Sequence, residues 1–310
     1  MSHTHAMPGP GASGGHGSLM RKTAWAAVAV AGFLIAIKLV AYLLTDSIAM
    51  LASLADSALD VFASSVNLLA IRHALTPADY EHRFGHGKAE PMAGLMQGAF
   101  IAGSVAFLTI ESAGRLIQPH PIEHGMIAIA VMAVSIAVTI ALVALQQITV
   151  ARTGSVAIGA DRMHYVSDLL TNLGVVAGIV LSTQFGVWIA DPIIGLVVAA
   201  ILAWSAWHVF RASYDQLMDR ELPDAERARI KSIVMRHPEV RDLHDLRTRA
   251  AGIATFIQLH VELDPAMSLT RAHEVSDAVE HEILAAYPLA EVIIHQDPAG
   301  AEEPPPLAQT

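Results

Sequence analysis

Long apolar stretches alternate with brief polar breaks between Ala24 and Phe210, and the breaks mark out six spans. These are Ala24–Leu44, Ile48–Ile71, Met92–Ile117, Met126–Val150, Ser155–Phe185 and Trp188–Phe210. Each reaches the about 20 residues that a helix needs to cross a bilayer. All six are expected to be helices, because an open strand leaves its backbone groups unsatisfied in lipid. Every connection is short except the polar segment Arg72–Pro91.

The pattern changes at Asp215, where charges become dense. "DAERARIKSIVMRH" and "LTRAHEVSDAVEHEILAAY" have helical periodicity, whereas "DLHDLRTR", "ATFIQLHVEL" and "AEVIIHQD" alternate as strands. The expected architecture is an all-α six-helix membrane bundle followed by a small α+β domain of order α-β-β-α-β. Its parts are a tail at 1–20, a membrane domain at 21–214, a soluble domain at 215–298 and a second tail at 299–310. Both tails are expected to be disordered. The first, rich in Gly, Pro, Ser and His, has no short apolar core of the kind a cleavable signal peptide carries. His3, His5 and His16 on it could hold metal only loosely.

Composition agrees with a multi-pass membrane protein: hydrophobic residues make up 54% and charged residues 15% of the chain. The net charge of −10 argues against a nucleic-acid partner, which would want a basic face. With no cysteine, disulfides and thiolate ligands are excluded, while 16 histidines bring metal chemistry into view. Loop charge sets the orientation. With the N-terminus inside, the inner segments carry Arg21, Lys22, Arg72, Arg83, Lys88, Arg152, Arg162 and Arg211, and the outer loops carry Arg115 alone. Both termini are therefore expected on the cytoplasmic side.

Against this background the carboxylates of the second span stand out. Each aspartate near a helix centre costs roughly 2.5–3.5 kcal/mol to insert, yet "ADSALD" carries Asp56 and Asp60 one turn apart. Small neighbours such as Ala52, Ser53, Ser57 and Ser64 let that face pack against other helices. In the fifth span "DRMHYVSDLL" offers His164 and Asp168 at the same spacing. Two helices could thus supply three carboxylates and one imidazole to a single divalent cation, a set that suits Zn2+ and tolerates Fe2+, Cd2+ or Mn2+. Lys38, in the first span, cannot neutralise three carboxylates. Asn67, Glu111, Gln146 and Gln147 are explained by helix–helix hydrogen bonding.

The inner loop "PADYEHRFGHGKAEP" holds Asp79, His82 and His86 at ligand-like spacings that ordinary loop residues would also show. In the soluble domain His244, His260, His273 and His295 fall on separate elements. His295 and Asp297 share one face of the last strand. Spacing alone leaves their convergence open.

In this order, "ADSALD", "PADYEHRFGHGKAE", "RMHYVSD", "LMDRELPD", "HDLRTR", "FIQLHVEL" and "VIIHQDP" resemble the cation diffusion facilitator family, most nearly its bacterial ferrous-iron and zinc efflux branch. The resemblance runs from about Arg21 to Pro298. It implies a homodimer in the inner membrane that exchanges divalent metal for protons, with a metallochaperone-like cytoplasmic domain. It places the transport site on Asp56, Asp60, His164 and Asp168 and a loop metal site on Asp79, His82 and His86. A regulatory two-metal site falls on His244, His260, His273, His295 and Asp297, with Gln296 assisting. It also implies a hinge salt bridge between Lys88 and Asp219.

Three rivals remain. A non-transporting membrane metal sensor would bind metal without flux. An intramembrane metalloenzyme is disfavoured because "HEVSD" (His273–Asp277) ends in Asp, not in the second His of a zinc-protease motif. A proton-coupled carrier of an organic solute would need a larger polar cavity. No organic cofactor is expected.

Overall fold

A computed structural model describes residues 14–45, 48–117, 126–185 and 189–300. The chain divides into two compact units, one running to Leu217 and the other beginning at Met218.

Among the described residues the first unit holds six long helices: α1 (Gly14–Thr45), α2 (Ile48–Ala74), α3 (Ala89–Ile117), α4 (Met126–Thr153), α5 (Val156–Phe185) and α6 (Ala190–Leu217). At 27 to 32 residues each is about 40–48 Å long, more than a hydrocarbon core requires. Among the described residues, α1, α3, α4 and α6 are apolar enough to cross a membrane on composition alone. The other two, α2 and α5, carry Asp56, Asp60, His164 and Asp168. The first helix also corrects the expected tail. It begins at Gly14 rather than after residue 20, because Met20 is fully buried and Gly17 lies against Leu75. The rest of that tail, residue Trp188 and most of the second tail lie outside the described residues.

Small residues set how closely these helices approach. Between α3 and α6, a Cβ on Gly94 would come within 2.2 Å of Ser213 Oγ, and one on Gly195 within 2.2 Å of Ser112 Oγ. The helices meet there backbone against side chain, as small-residue interfaces in lipid do. Hydroxyls tie the remaining helices. Ser64 and Tyr165 are 2.7 Å apart, and the Tyr165 hydroxyl donates to the Ala27 carbonyl, so one buried ring links α1, α2 and α5. Thr23 and Thr149 join α1 to α4 at 2.7 Å, and Lys38 donates to Ser57 Oγ at 2.6 Å.

The second unit follows the expected order: α7 (Asp224–Val234), β1 (Asp242–Ala251), β2 (Ala254–Leu263), α8 (Leu269–Ala286) and β3 (Ala290–Pro298). Strand order is β1-β2-β3, antiparallel then parallel. A tight turn with Gly252 at φ 61 closes the hairpin, and α8 makes the crossover that a parallel pair requires. Ser268 caps α8 by accepting the Arg271 N–H. Residues 257, 259, 261 and 263 of β2 bury one face with Ile230, Val234, Val275, Val279 and Ile283 from the two helices. Period-two alternation therefore leaves His260 and Glu262 on the opposite face.

Candidate metal sites

In the membrane unit, α2 and α5 bring together Asp60, His164 and Asp168, whose donor atoms all lie within 4.8 Å of one another. His164 Nε2 stands 3.1 Å from Asp60 Oδ1 and 3.7 Å from Asp168 Oδ2. Asp60 and His164 are buried, and Asp168 is half-buried. The ring nitrogen thus points between two carboxylates contributed by different helices. A proton on Nε2 can hold that geometry, and a divalent cation placed there would meet the same three donors. Asp56 lies one turn before Asp60 on α2, and its side chain is outside the described residues.

The connection from α2 to α3 folds around Asp79. Its Oδ1 accepts the backbone N–H groups of Glu81 (2.9 Å) and His82 (2.7 Å), a turn that fixes the carboxylate. These bonds, led by that from His82, hold the Asp79 carboxyl below its ordinary value. Gly85 takes φ +78, a left-handed conformation that favours glycine, and brings His86 back toward His82. Asp79 then stands 3.3 Å from both His82 Nδ1 and His86 Nε2, and the three donors fall within 4.8 Å. His86 Nδ1 faces the Thr76 carbonyl at 3.4 Å, a partner for an Nδ1 proton that would free Nε2 to bind a metal beside Asp79.

On the open face of the sheet, strand register builds a ladder. His244 pairs with His260, and His260 pairs with His295; two residues along, Asp242 pairs with Glu262 and Glu262 with Asp297. A row of imidazoles therefore lies beside a row of carboxylates. Asp297 sits at the centre: its Oδ2 is 2.8 Å from His260 Nδ1 and 3.2 Å from His244 Nε2, and its Oδ1 is 3.2 Å from His295 Nε2. Burial pushes the Asp297 pKa up. The His260 hydrogen bond and the facing charges of His295 and His260 outweigh that, so the carboxyl titrates below its ordinary value. Glu262 stands 3.6 Å from His244, and Asp245, at φ 45 in a bulge after His244, stands 3.9 Å from His260.

Two expected ligands do not join this cluster. Gln296 is a correction: flanked by His295 and Asp297, it projects from the other side of the strand and donates to Ser276 of α8 at 2.8 Å. His273 is exposed on α8 and faces Asp277 at 3.6 Å.

The comparisons with known proteins follow these sites. Residues 24–218 match the cation efflux transmembrane domain, and residues 222–299 match the cation efflux protein cytoplasmic domain. The chain belongs to the cation efflux family. It is 47% identical over 277 residues to the cation-efflux pump FieF of Shewanella oneidensis, covering 89% of this chain and 93% of that one. Against FieF of Klebsiella pneumoniae the identity is 41% over 284 residues, covering 92% and 94%. Among solved structures, the metal-bound C-terminal domain of the CzcD transporter from Thermotoga maritima is 31% identical and matches 26% of this chain and 100% of its own, with a TM-score of 0.25. The cytosolic domain of a cation diffusion facilitator family protein is 32% identical over 25% and 93%, with a TM-score of 0.24.

As a cation efflux transporter the chain is a multi-pass membrane protein, and its buried polar groups outside the ligand sets take on meaning. Asp161, one turn before His164, is 1% exposed. It accepts Gln97 Nε2 of α3 at 3.1 Å and Gln146 Nε2 of α4 at 2.7 Å, knotting three helices behind the intramembrane site. Glu90, also 1% exposed, accepts the Ala157 N–H at 3.3 Å and places a carboxylate against the N-terminus of α5. Neither was singled out from the sequence. Asp161 could have been, since positions 161, 164 and 168 share one helical face.

Proposed function

We propose that this transporter exports a divalent cation, Zn2+ first and Fe2+ second, with Cd2+ and Mn2+ compatible, in exchange for protons. The observation that supports this most is His164 Nε2 lying between the Asp60 and Asp168 carboxylates. Carboxylates bind metal only when deprotonated, and imidazole only when neutral, so protons and metal compete for one set of side chains. With Asp56 as fourth donor, near-neutral cytoplasm loads the site. Reorientation of the bundle exposes it outside, where protons evict the ion and then travel back on the carboxylates. This is alternating access with antiport.

The remaining parts belong to the same reading. The protein is a homodimer in the inner membrane with both termini cytoplasmic. Its domains run 21–214 and 215–298. Asp79, His82 and His86 hold a loop ion, and the His244–His260–His295–Asp297 face holds regulatory metal. Asp245 and Glu262 bring that face enough donors for two four-coordinate ions. In this reading a Lys88–Asp219 pair is what passes the regulatory state to the bundle, which shifts only by the metal's differential affinity for its two conformations. In the structure Asp219 stands 3.3 Å from Arg249, and Lys88 donates to the Leu217 carbonyl at 3.3 Å.

Metal-by-metal uptake into proteoliposomes under an imposed pH gradient tests the reading. Antiport predicts zinc flux that tracks the gradient, with measurable proton counterflow. Saturable binding with no flux would favour the membrane sensor instead. Replacing His244 and Asp297 together should alter how flux depends on metal concentration; an unchanged dependence discards the regulatory role.

A further inference from the structure

We propose that His73, in the last turn of α2, is the fourth protein ligand of the loop metal site. The inference rests on the reading of Asp79, His82 and His86 as that site. Three donors leave one position of a tetrahedral ion open. The His86 ring has two imidazoles 4.5 Å away, centre to centre: His82 at 44° between planes, and His73 at 61°. His73 thus stands as near to His86 as the expected ligand His82 does.

The distance suits shared coordination. With Zn–N bonds of about 2.0–2.1 Å, two imidazoles on one tetrahedral zinc have ring centres about 5 Å apart. His73 is outside the tight set of three donors, but its ring is exposed and can turn about its side-chain bonds. The chain geometry brings it there. The Thr76 N–H bonds to the His73 carbonyl at 2.9 Å, turning the chain at the end of α2, and the Thr76 carbonyl in turn faces His86 Nδ1. The site becomes three imidazoles and one carboxylate, a donor set that favours zinc in four-coordinate form. Its ion would clamp the end of α2, which carries Asp60, to the segment that enters α3. The competing role for His73 is a cation at a helix C-terminus, which needs no metal.

The test uses full-length protein in detergent with Asp60→Ala, Asp168→Ala, His244→Ala and Asp297→Ala, so that the loop cluster is the metal site left to read. Cobalt(II) is the probe, because its visible absorption is intense when four-coordinate and faint when six-coordinate. We expect one intense cobalt spectrum per chain. His73→Phe, which keeps a ring against His86, should bleach it and weaken zinc binding by at least the roughly 10–100-fold that loss of a ligand-supporting contact costs. His73→Gln should do the same, guarding against a packing artefact. If both variants keep the spectrum and affinity while His82→Phe loses them, the loop site stands and the fourth ligand is overturned. If the unaltered loop binds no cobalt, the loop site itself falls, and this inference with it.

Discussion

Asp60 on α2 and His164 on α5 are 104 residues apart in sequence and 3.1 Å apart in space, both shielded from solvent. The Ser64–Tyr165 hydroxyl pair joins the same two helices at 2.7 Å. Substituting His164 by Ala should leave the Asp60 carboxylate without its imidazole and abolish cation flux. Tyr165→Phe should keep flux but lower stability by about 0.5–1.5 kcal/mol for the lost hydrogen bonding. Paired flux and thermal-melting measurements would show the split.

The Asp161 knot predicts a graded series. Asp161→Ala leaves the Gln97 and Gln146 amides without their acceptor and should cost about 1–3 kcal/mol. Asp161→Asn should cost less, because Gln97 Oε1 and Gln146 Oε1 are buried without partners and a flipped amide can accept from the new NH2. Melting temperatures in detergent check the order. Equal losses for the two variants would contradict this account of the knot.

Packing of α3 on α6 predicts a contrast among glycines. Gly195→Leu drives its side chain into Ser112 and should cost about 1–3 kcal/mol as an overpacked contact. Gly103→Ala meets nothing within 4 Å and should gain about 0.5–1 kcal/mol from the better helix former. Chemical unfolding of the two variants reads both signs.

These cases show what could be read from the sequence. Helical periodicity alone brought Asp60, His164 and Asp168 to two facing stripes, because a helix fixes which residues share a side. Strands fix only parity: it put His295 and Asp297 on one face and Gln296 on the other, so the assisting role given to Gln296 by resemblance conflicted with alternation already present. Register between strands was not legible, and with it the approach of Glu262 and Asp245 to the imidazoles. Asp161 escaped notice because its partners come from helices three and four, a contact no spacing encodes. The start of α1 is hidden by composition: a Gly- and His-rich stretch has the character of a tail, and only packing of Gly17 against Leu75 places it in the helix.

Alkaline pH tests the soluble unit. Tyr287 donates to Glu226 at 2.6 Å, tying the end of α8 to α7. Burial first, then that bond, pushes its pKa from 10.0 up to about 12. A raised folded value means the stabilisation is full below pH 10 and is lost as pH climbs toward 12. The melting temperature of the parent should exceed that of Tyr287→Phe at pH 8, and the gap should close across that window. A gap that stays constant to pH 12 contradicts the assignment.

The central claim is that one ion and its competing protons share the α2–α5 carboxylates and imidazole. Zinc uptake into proteoliposomes, with proton release recorded in the same trace, measures it most directly for Asp60→Asn beside the parent and Asp297→Asn. The account predicts coupled zinc and proton movement in the parent and in Asp297→Asn, and neither in Asp60→Asn once its folding is verified. Parent-like coupled flux in Asp60→Asn would contradict it.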